Sequence, residues 1–498
     1  MGVMADCGVI ALSATSDMIK ELFTGLVFLQ HRGQSHAGIC TRDSEGAFHL
    51  HKGAGLVLDV FDNKSLAQLN GKIGIGHVRY PTVGSGNGDV EAQPIKSQQL
   101  PDLVLAHNGN LPNFAQIKAD FSKKGIEFKS SCDVEAVVEV FASNLIKAGY
   151  VSGKNDNDEL IYEAVGQTMD VFETGSFSVV GIVGNKLIAF RDKRGIKPFV
   201  GGTRVTSEGL VEHAFASESV GLTQIGFTKK NVWNVRPGHC YILDGPEIRN
   251  RRVRSADRLA RCIFEDAYFS SPASWIDGMS VSKRRGRIGK VLADEFFKAF
   301  PSVVPDIVAP VPDTARTPAI DFARRLSILH RDHIPYKEVI IRNRYMGLRS
   351  FIEMSQKHRE LLIGLKNIYD VRNVPSTLVL VDDSIVRMTT MKQIAKKLKE
   401  LGVENLYLAI CFPPIKDSCY YGIDFPSKDQ LIAANMNIEQ MQKELGVDGL
   451  YYISIEGYLR AIATARDEAC LGCTEGEHPT DIPEDQKRSC AQDGVRRY

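Results

Sequence analysis

The first 240 residues alternate short apolar segments with glycine-rich turns, and this alternation constrains the fold more than any other feature. The clearest apolar segments are 7–12, 73–76, 103–106 and 177–183. Helical patterns at 134–146 and 160–172 interrupt them. Short apolar runs bounded by turn residues are typical of strands, whereas apolar residues three or four apart indicate helices. We therefore expect a mixed α and β domain built around antiparallel sheets.

The pattern changes after a stretch rich in Pro, Gly and basic residues at 237–257. Beyond it, the runs 307–311 and 377–381 are continuously apolar, and each leads toward a helix, as buried parallel strands do. These features predict α+β and α/β architecture in one chain. The expected divisions are a first domain at 7–240, a linker at 241–261, a parallel-sheet domain at 262–480 and a mobile polar tail at 481–498.

Charge and hydropathy exclude several classes of partner. The chain has 61 Lys and Arg against 60 Asp and Glu, so no overall field attracts nucleic acid or a membrane surface. No apolar run approaches a membrane span, and residues 1–6 lack the pattern of a signal peptide. We expect a cytosolic protein whose ten cysteines do not form structural disulfides. The basic runs 249–252 and 283–285 are expected on the solvated surface, although such runs also suit phosphate.

Cys7 stands directly before an apolar strand and is followed by Gly8. If residues 1–6 were removed, its thiol would lie beside its own α-amine. An α-amine titrates near pH 7.7–8, so it can act as general base for the thiol without a histidine. The alternative is a small buried thiol at the start of a strand.

Three further segments favour the catalytic interpretation. Arg79 ends a strand and is suited to a two-pronged grip on an α-carboxylate. Asn108 and Gly109 end another strand and can donate to a developing oxyanion. Asp133 stands at a helix start, where it either caps the helix or meets a substrate ammonium. Together with Cys7 they supply a nucleophile and binding groups for a free amino acid.

A second site is indicated at 376–390, where a buried strand ends in Asp382 and Asp383 and a helix runs through Lys399. Carboxylates at the carboxyl end of a strand bind ribose hydroxyls or hydrated Mg²⁺. The backbone amides of a loop that opens a helix suit a phosphate. A strand ending in Asp-Asp also opens phospho-acceptor receiver domains, which is the competing interpretation.

Several motifs resemble one family in order and spacing from Cys7 to about Thr480. They are 7–9, 30–34, 77–82, 107–110 and 191–198. They resemble the class II glutaminase domain in the form found in glutamine phosphoribosylpyrophosphate amidotransferases. The resemblance implies an αββα sandwich of the N-terminal-nucleophile (Ntn-hydrolase) type that hydrolyses glutamine through a thioester. It assigns Cys7 as nucleophile and base, Arg79 and Asp133 to glutamine, and Asn108 with Gly109 to the oxyanion hole. The chain departs from the family at Ser35-His36 and at Cys132.

The segment 376–390 looks like the phosphoribosylpyrophosphate loop of type I phosphoribosyltransferases. The segment 310–314 is similar to their pyrophosphate loop, and 342–352 is similar to a flexible lid that shapes an ammonia tunnel. The substrate-binding residues implied are Asp382, Asp383, Ser384, Arg387, Thr389, Thr390 and Tyr345. The Mg²⁺ ligands implied are Thr314, Asp382 and Asp383. The implied reaction turns glutamine, phosphoribosylpyrophosphate and water into phosphoribosylamine, glutamate and pyrophosphate, the committed step of purine synthesis.

The second domain also departs from the family. Met388 replaces a glycine in the phosphate loop, the lid has one extra residue between Tyr345 and Arg349, and Met354 replaces a proline. Met388 would either be strained at positive φ or turn loop amides away, so weaker phosphoribosylpyrophosphate binding is expected, with recovery in Met388→Gly. Two alternatives follow: a paralogue whose second domain acts on another phosphorylated acceptor or only binds a nucleotide, and a glutaminase scaffold without second chemistry.

Cysteines add a cofactor hypothesis. Cys470 and Cys473 alone are a weak signal, and four thiolates suit either Zn²⁺ or an iron–sulfur cluster. The resemblance places Cys262, Cys419, Cys470 and Cys473 on the [4Fe–4S] ligands of a Bacillus-type branch, which also carries a short self-removed propeptide like residues 1–6. It further implies purine nucleotides as feedback inhibitors and a homo-oligomer. The remaining cysteines are expected to be buried or inert: Cys40, Cys132, Cys240, Cys411 and Cys490.

Overall fold

The computed structural model describes residues 7–80, 88–154, 157–343, 367–370, 372 and 374–487. The propeptide predicted at 1–6, Tyr345 with most of the lid, Met354 and Cys490 lie outside these residues. Within the described residues, no helix has the length and apolar character needed to cross a membrane.

Two antiparallel sheets form the first domain. The seven-stranded sheet has the order Val232–Asn234, Val200–Val205, Val211–Ala216, Gly8–Ser13, Ile73–Arg79, His36–Arg42 and Phe48–Ala54. The six-stranded sheet has the order Glu247–Arg252, His239–Asp244, Lys186–Arg191, Ser176–Val183, Leu103–Asn110 and Ile95–Lys96. Every pairing in both sheets is antiparallel, as the alternation of strands and turns predicts.

Side chains alternate between the two faces of each strand, and this alternation builds the layers. On the strand Gly8–Ser13, Val9 and Ala11 face the second sheet and share one core with Val104. Ile10 and Leu12 face the other way and pack with the outer helix Ile19–Phe28. The helices Val134–Lys147 and Asp158–Val171 cover the opposite sheet. The first domain is therefore the αββα sandwich that the resemblance implies. Its shorter helices are Val57–Val60, Asn63–Ala67, Phe114–Ser122 and Ser219–Thr223.

The first domain extends further along the chain than the predicted boundary at residue 240. The strands His239–Asp244 and Glu247–Arg252 pair as a hairpin at one edge of the six-stranded sheet. Because this hairpin carries ladder hydrogen bonds, residues 241–252 belong to the first domain and only the stretch after Arg252 connects it to the second.

The second domain has a four-stranded parallel sheet. Its order is Ile307–Pro310, Thr377–Asp382, Asn405–Ile410 and Gly449–Tyr452. Its longer helices are Val281–Ala299, Arg316–His330, Met388–Glu400, Ile438–Leu445 and Ile455–Ile462, and its short ones are Ile432–Asn435 and Gly472–Glu475. Apolar cores lie on both faces of the sheet, which explains why its strands are continuously apolar. The receiver-domain interpretation is wrong, because Thr377–Asp382 pairs with a strand that lies far upstream.

Short two-stranded pairings complete the described chain. They are Arg261–Cys262 with Ala469–Cys470, Trp275–Ile276 with Met279–Ser280, and Ile340–Arg342 with Asn367–Tyr369.

Two surface predictions need correction. Arg284 and Arg285, in the basic run expected on the surface, are 2% and 3% exposed. They are buried because Arg284 pairs with Asp266 at 2.8 Å and Arg285 Nε donates to the carbonyl oxygen of Asp266 at 2.9 Å. The tail expected to be mobile from residue 481 begins with Ile482 buried in an apolar cluster. The other basic run, 249–252, is largely exposed as predicted.

Candidate active sites

Cys7 lies at the entry to the central strand Gly8–Ser13 of the seven-stranded sheet, at a point where the two sheets meet. Its backbone nitrogen donates to Asn108 Oδ1 at 3.4 Å, although Asn108 belongs to the opposite sheet. Its Sγ lies 3.7 Å from the carbonyl oxygen of Tyr80. The structure therefore brings the predicted nucleophile and the predicted oxyanion donor together from positions 101 residues apart.

The side-chain amide of Asn108 has one nitrogen donor that is not used by Cys7. Its Oδ1 is occupied by Cys7, whereas its Nδ2 is buried and has no hydrogen-bond partner within the described part of the chain. A buried amide donor without a partner costs free energy, so its retention points to a ligand atom that it serves.

Gly109 adds a second donor on the same strand. The flanking N–H groups of His107 and Leu111 point to one edge, where they donate to Gln93 Oε1 at 2.8 Å and to Asp133 Oδ2 at 3.2 Å. Since alternate residues of a strand point their N–H groups to the same edge, the Gly109 N–H lies between these two. A Cβ at position 109 would meet the carbonyl oxygen of Ser176 at 1.9 Å, so only glycine fits.

Asp133 does not cap the helix Val134–Lys147. Its backbone is already helical and its side chain makes no capping hydrogen bond. Instead, the carboxylate accepts from Leu111 N and lies 3.5 Å from His107 Nε2. Burial opposes its ionisation, but His107, Arg79 and the Leu111 N–H hold the pKa of Asp133 below its usual value. The capping alternative is therefore wrong, and a buried negative charge remains near the end of the strand Leu103–Asn110.

Arg79 ends the strand Ile73–Arg79 and is 2% exposed. Its charge interacts with Cys7 and with Asp133. The guanidinium also donates to the carbonyl oxygen of Glu91 at 2.8 Å and to its Oε2 at 3.2 Å. The other oxygen of the Glu91 carboxylate accepts from Ser131 N and Oγ, both at 2.8 Å. Sequence reasoning missed Glu91, because a single glutamate after a turn carries no motif.

Asp382 and Asp383 lie at the carboxyl end of the strand Thr377–Asp382, as predicted. Thr314, from the segment after the neighbouring strand, lies close enough to Asp383 to lower the pKa of its carboxyl group, and Ser384 Oγ donates to Asp383 Oδ1 at 2.8 Å. Burial and the charge of Asp383 raise the pKa of Asp382 well above its usual value. Burial raises the pKa of Asp383 to about 6, although Ser384, Arg285 and Thr314 act in the opposite direction. The three predicted Mg²⁺ ligands are thus brought together.

Met388 is the first residue of the helix Met388–Glu400 and does not have a positive φ. Its side chain is 8% exposed and packs in the core below the sheet, so it does not cover the loop. Arg387 precedes the helix in an extended conformation and donates to Gln430 Oε1 at 2.6 Å. Thr389 and Thr390 lie in the first turn of this helix, at its N-terminal end. The strain expected for a positive φ at Met388 is therefore absent, and its backbone has the other expected conformation, a φ that is not positive.

Cys262, Cys419, Cys470 and Cys473 line one cavity of about 20 Å³ together with apolar side chains. Cys262 and Cys470 are direct partners in a short parallel pairing. Burial raises the pKa of Cys470 to about 12 and the pKa values of Cys262 and Cys473 well above their usual range. Among the described residues, no three His, Cys, Asp or Glu side chains converge closely enough to hold a single metal ion. Of the other cysteines, Cys40, Cys132, Cys240 and Cys411 are buried, as predicted.

Comparisons with known proteins cover nearly the whole chain. Residues 85–224 match a family described as the glutamine amidotransferase domain. The chain is 36% identical to the amidophosphoribosyltransferase of Pseudomonas aeruginosa over 95% of its own length and 93% of that protein. It is 36% identical to the amidophosphoribosyltransferase of Methanocaldococcus jannaschii over 96% of its length and 98% of that protein.

Solved structures show the same likeness. The chain superposes with a TM-score of 0.82 and 32% identity on the glutamine phosphoribosylpyrophosphate amidotransferase of Bacillus subtilis complexed with ADP and GMP. That comparison covers 96% of this chain and 98% of the other. A structure described as the allosteric regulatory enzyme of purine biosynthesis gives a TM-score of 0.83 and 32% identity over 96% of this chain and 97% of its own.

Proposed function

The chain belongs to the amidophosphoribosyltransferase family, and from this premise we propose how its residues divide the work. The protein is a glutamine-dependent amidotransferase of purine biosynthesis, in which ammonia from glutamine replaces the pyrophosphate of phosphoribosylpyrophosphate. The alternatives of a paralogue with another acceptor and of a scaffold without second chemistry have no support in the relatives, which match both domains.

Cys7 is the nucleophile in the first half of the reaction, the hydrolysis of glutamine. Once residues 1–6 are removed, the α-amine of Cys7 accepts the thiol proton and the sulfur attacks the amide carbon of glutamine. The α-ammonium returns this proton to the amide nitrogen as the C–N bond breaks, so that neutral ammonia leaves, and water then hydrolyses the thioester to glutamate and restores the thiol. The position of the Cys7 nitrogen, 3.4 Å from Asn108 Oδ1, is the observation that carries this proposal, because the same amide group orients the base.

Asn108 and Gly109 stabilise the oxyanion that forms during this attack. Asn108 Nδ2, buried without a partner among the described residues, and the Gly109 N–H provide two preorganised donors. Arg79 binds the α-carboxylate of glutamine and Asp133 its ammonium, so that one site holds both charged ends of the amino acid. Glu91 fixes the arginine through two hydrogen bonds and keeps it directed toward this site.

The second half takes place at the strand end of the parallel sheet. Thr314, Asp382 and Asp383 would hold Mg²⁺, since they offer clustered oxygen ligands of the kind it prefers. When bound, Mg²⁺ supplies positive charge for the departing pyrophosphate. The amides of the first helical turn, with Ser384, Thr389 and Thr390, receive the 5′-phosphate, and Arg387 adds a positive charge at the helix entrance. Tyr345, outside the described residues, stays a prediction for substrate binding.

We propose that the four cysteines around this cavity hold an iron–sulfur cluster, as the family resemblance implies, and not a zinc ion. Zinc draws four sulfurs to about 2.3 Å from one centre. Here the thiols surround a cavity and do not converge to that extent among the described residues. A [4Fe–4S] group is held by four cysteine thiolates, and Cys262, Cys419, Cys470 and Cys473 line one cavity with apolar side chains, which supports this proposal. We also propose purine nucleotides as regulators and a homo-oligomeric assembly; the Bacillus subtilis relative is complexed with ADP and GMP.

One assay tests whether Cys7 serves the glutamine-driven reaction and not the ammonia-driven one. Wild-type protein is expected to release pyrophosphate from phosphoribosylpyrophosphate with either glutamine or an ammonium salt. Cys7→Ser is expected to lose only the glutamine-driven reaction, and Cys40→Ala, which removes a buried thiol from the same sheet, keeps both. Glutamine hydrolysis by Cys7→Ser at the wild-type rate, or active protein whose intact mass still includes residues 1–6, would falsify the assignment.

A further inference from the structure

The carboxylate of Glu265 crosses from the second domain into the first. It accepts from Arg32 Nη2 at 2.9 Å on one oxygen and from Arg32 Nη1 at 3.2 Å on the other. Both side chains are almost fully buried, with 1% exposure each. This pairing is a two-pronged ion pair, the geometry that fixes a guanidinium plane most firmly.

The same guanidinium holds the nucleophile. Arg32 Nε donates to the carbonyl oxygen of Cys7 at 3.0 Å, and Nη1 also pairs with Glu218 at 2.5 Å. A guanidinium is planar and rigid, so fixing its far side with two carboxylates sets the direction of its Nε–H. That direction in turn sets the peptide plane after Cys7, and therefore where its thiol and its amine point.

We infer that Glu265 is a positioning residue of the glutaminase, which it serves from the second domain by holding Arg32 against the Cys7 carbonyl. The inference rests on Cys7 being the glutaminase nucleophile. Glu265 also lies 3.7 Å from Lys197 Nζ, and the route from its carboxylate to the nucleophile runs through Arg32, which donates to the Cys7 carbonyl.

Glu265 is itself held firmly. It begins a single π-turn, Glu265–Phe269, and its Oε2 accepts from Ser270 Oγ at 2.9 Å. The next residue, Asp266, is paired with Arg284 at 2.8 Å and with Arg261 at 2.5 Å. Because this turn is pinned on both sides, the second domain presents Glu265 to Arg32 as a rigid support.

This arrangement predicts a specific kinetic change. Arg79 and Asp133, the residues proposed to bind glutamine, are held by Glu91 and by Leu111 with His107, so we expect glutamine affinity not to depend on Glu265. The orientation of Cys7 does depend on the Glu265 carboxylate, because that carboxylate holds Arg32. Loss of the carboxylate should therefore lower kcat for glutamine hydrolysis and leave KM unchanged. A general loosening of the fold would also lower the ammonia-driven reaction in the second domain.

The experiment compares Glu265→Gln with wild type in the full chain. The expected result is a fall of about tenfold or more in glutaminase kcat, the factor that about 1.4 kcal/mol of barrier makes. KM for glutamine and the ammonia-driven release of pyrophosphate should be unchanged. Alkylation of Cys7 by iodoacetamide, a reagent that needs no glutamine site, should slow in parallel with kcat.

Two further variants complete the test. Ser270→Ala keeps the carboxylate but removes one of its supports, so it should give a smaller fall in the same direction even if Glu265→Gln folds poorly. Glu295→Gln removes a carboxylate that binds Ser454 inside the second domain and should leave the glutaminase unchanged. Wild-type kcat in both Glu265→Gln and Ser270→Ala, or a parallel fall of the ammonia-driven reaction, overturns the inference. Persistent glutaminase in Cys7→Ser would instead overturn the assignment of the nucleophile.

Discussion

The side-chain amide of Asn110, in the first domain, donates to the carbonyl oxygen of Tyr420, in the second domain, at 2.9 Å. Ser176 Oγ makes the same kind of bond to the carbonyl oxygen of Tyr421 at 2.9 Å. A Cβ on Gly422 would lie 3.3 Å from the Gly109 carbonyl, so this loop rests directly on the strand of the oxyanion donors. The loop after Cys419 thus contacts the strand Leu103–Asn110, which carries the proposed oxyanion donors. This is a second contact between the two domains, in addition to the pairing of Glu265 with Arg32.

We expect Asn110→Ala to weaken this docking. A hydrogen bond of this kind contributes about 0.5–1.5 kcal/mol to stability, and urea denaturation should show a loss of that size. Asn113→Ala is the control, because Asn113 Nδ2 donates to the carbonyl oxygen of Val171 at 2.8 Å within the first domain. Glutaminase activity should fall only in Asn110→Ala. An equal fall in both variants would mean that the interdomain bond has no special role.

Asn108→Ala should affect chemistry and not binding. Removal of one oxyanion donor lowers kcat by about 10²–10³ in comparable enzymes, and we expect a loss of that order for glutamine hydrolysis. KM for glutamine and the ammonia-driven reaction should be retained, since Asn108 contacts Cys7 and the charged ends of glutamine are assigned to Arg79 and Asp133. A rise in KM with wild-type kcat would place Asn108 in substrate binding instead.

Glu218 is expected to make the free energy of unfolding depend on pH in the acid range. Burial opposes its ionisation, but His31, Arg32 and Ser274 lower its pKa from 4.5 to about 2. Because the folded pKa is the lower one, the stabilisation is complete above pH 4.5 and is lost as the pH falls toward 2. A shift of this size corresponds to about 3 kcal/mol.

Glu218→Gln is therefore expected to lower stability at pH 7 and to remove part of the dependence between pH 4.5 and 2. Urea denaturation across this range measures the difference from wild type. The exposed Glu208→Gln serves as control, and it should follow the wild-type curve. If the difference between Glu218→Gln and wild type stayed constant with pH, the carboxylate would not be the titrating group.

The sequence predicts those features that depend on neighbouring residues. Strand and helix patterns place Cys7, Arg79 and Asn108 at strand ends, and the strand ends do meet as the motifs imply. Asp382 and Asp383 follow the same logic, because parallel strands present their carboxyl ends at one edge.

Features that depend on residues far apart in the sequence cannot be predicted from local patterns. Arg284 lies in a run of three basic residues and is buried only because Asp266 meets it there. Glu91 and Glu265 carry no local signal, and their roles follow from arginines 12 and 233 residues away in the chain. The hairpin that extends the first domain to Arg252 lies within the predicted linker, because exposed basic residues are as typical of a linker as of an edge strand.

The cysteine cavity predicts a metal content. Protein purified without oxygen should contain about four irons per chain, and exposure to air should bleach it. Cys470→Ser should lower the iron content, whereas Cys240→Ser, at a buried cysteine of the first domain, should not. Elemental analysis decides the point, and stoichiometric zinc without iron would contradict the cluster.

Met388 is the position where the structure most changes the expectation. A glycine there was expected to restore phosphoribosylpyrophosphate binding. Met388 instead has a helical backbone and buries its side chain with Ile385 and Met391. Met388→Gly would therefore remove a core side chain, at a cost of about 2–5 kcal/mol for the comparable change to alanine. Because the Met388 side chain lies in the core, its removal is not expected to bring the substrate closer to the loop.

We accordingly expect Met388→Gly to unfold at lower urea concentration and to bind phosphoribosylpyrophosphate with Mg²⁺ no more tightly than wild type. Met391→Gly is the matched control, because Met391 is 3% exposed in the same core and lies one turn further from the phosphate loop. Both variants should lose stability, and neither should show a lower Kd. A tenfold tighter Kd in Met388→Gly alone, which corresponds to about 1.4 kcal/mol, would mean that the methionine obstructs the phosphate despite its burial.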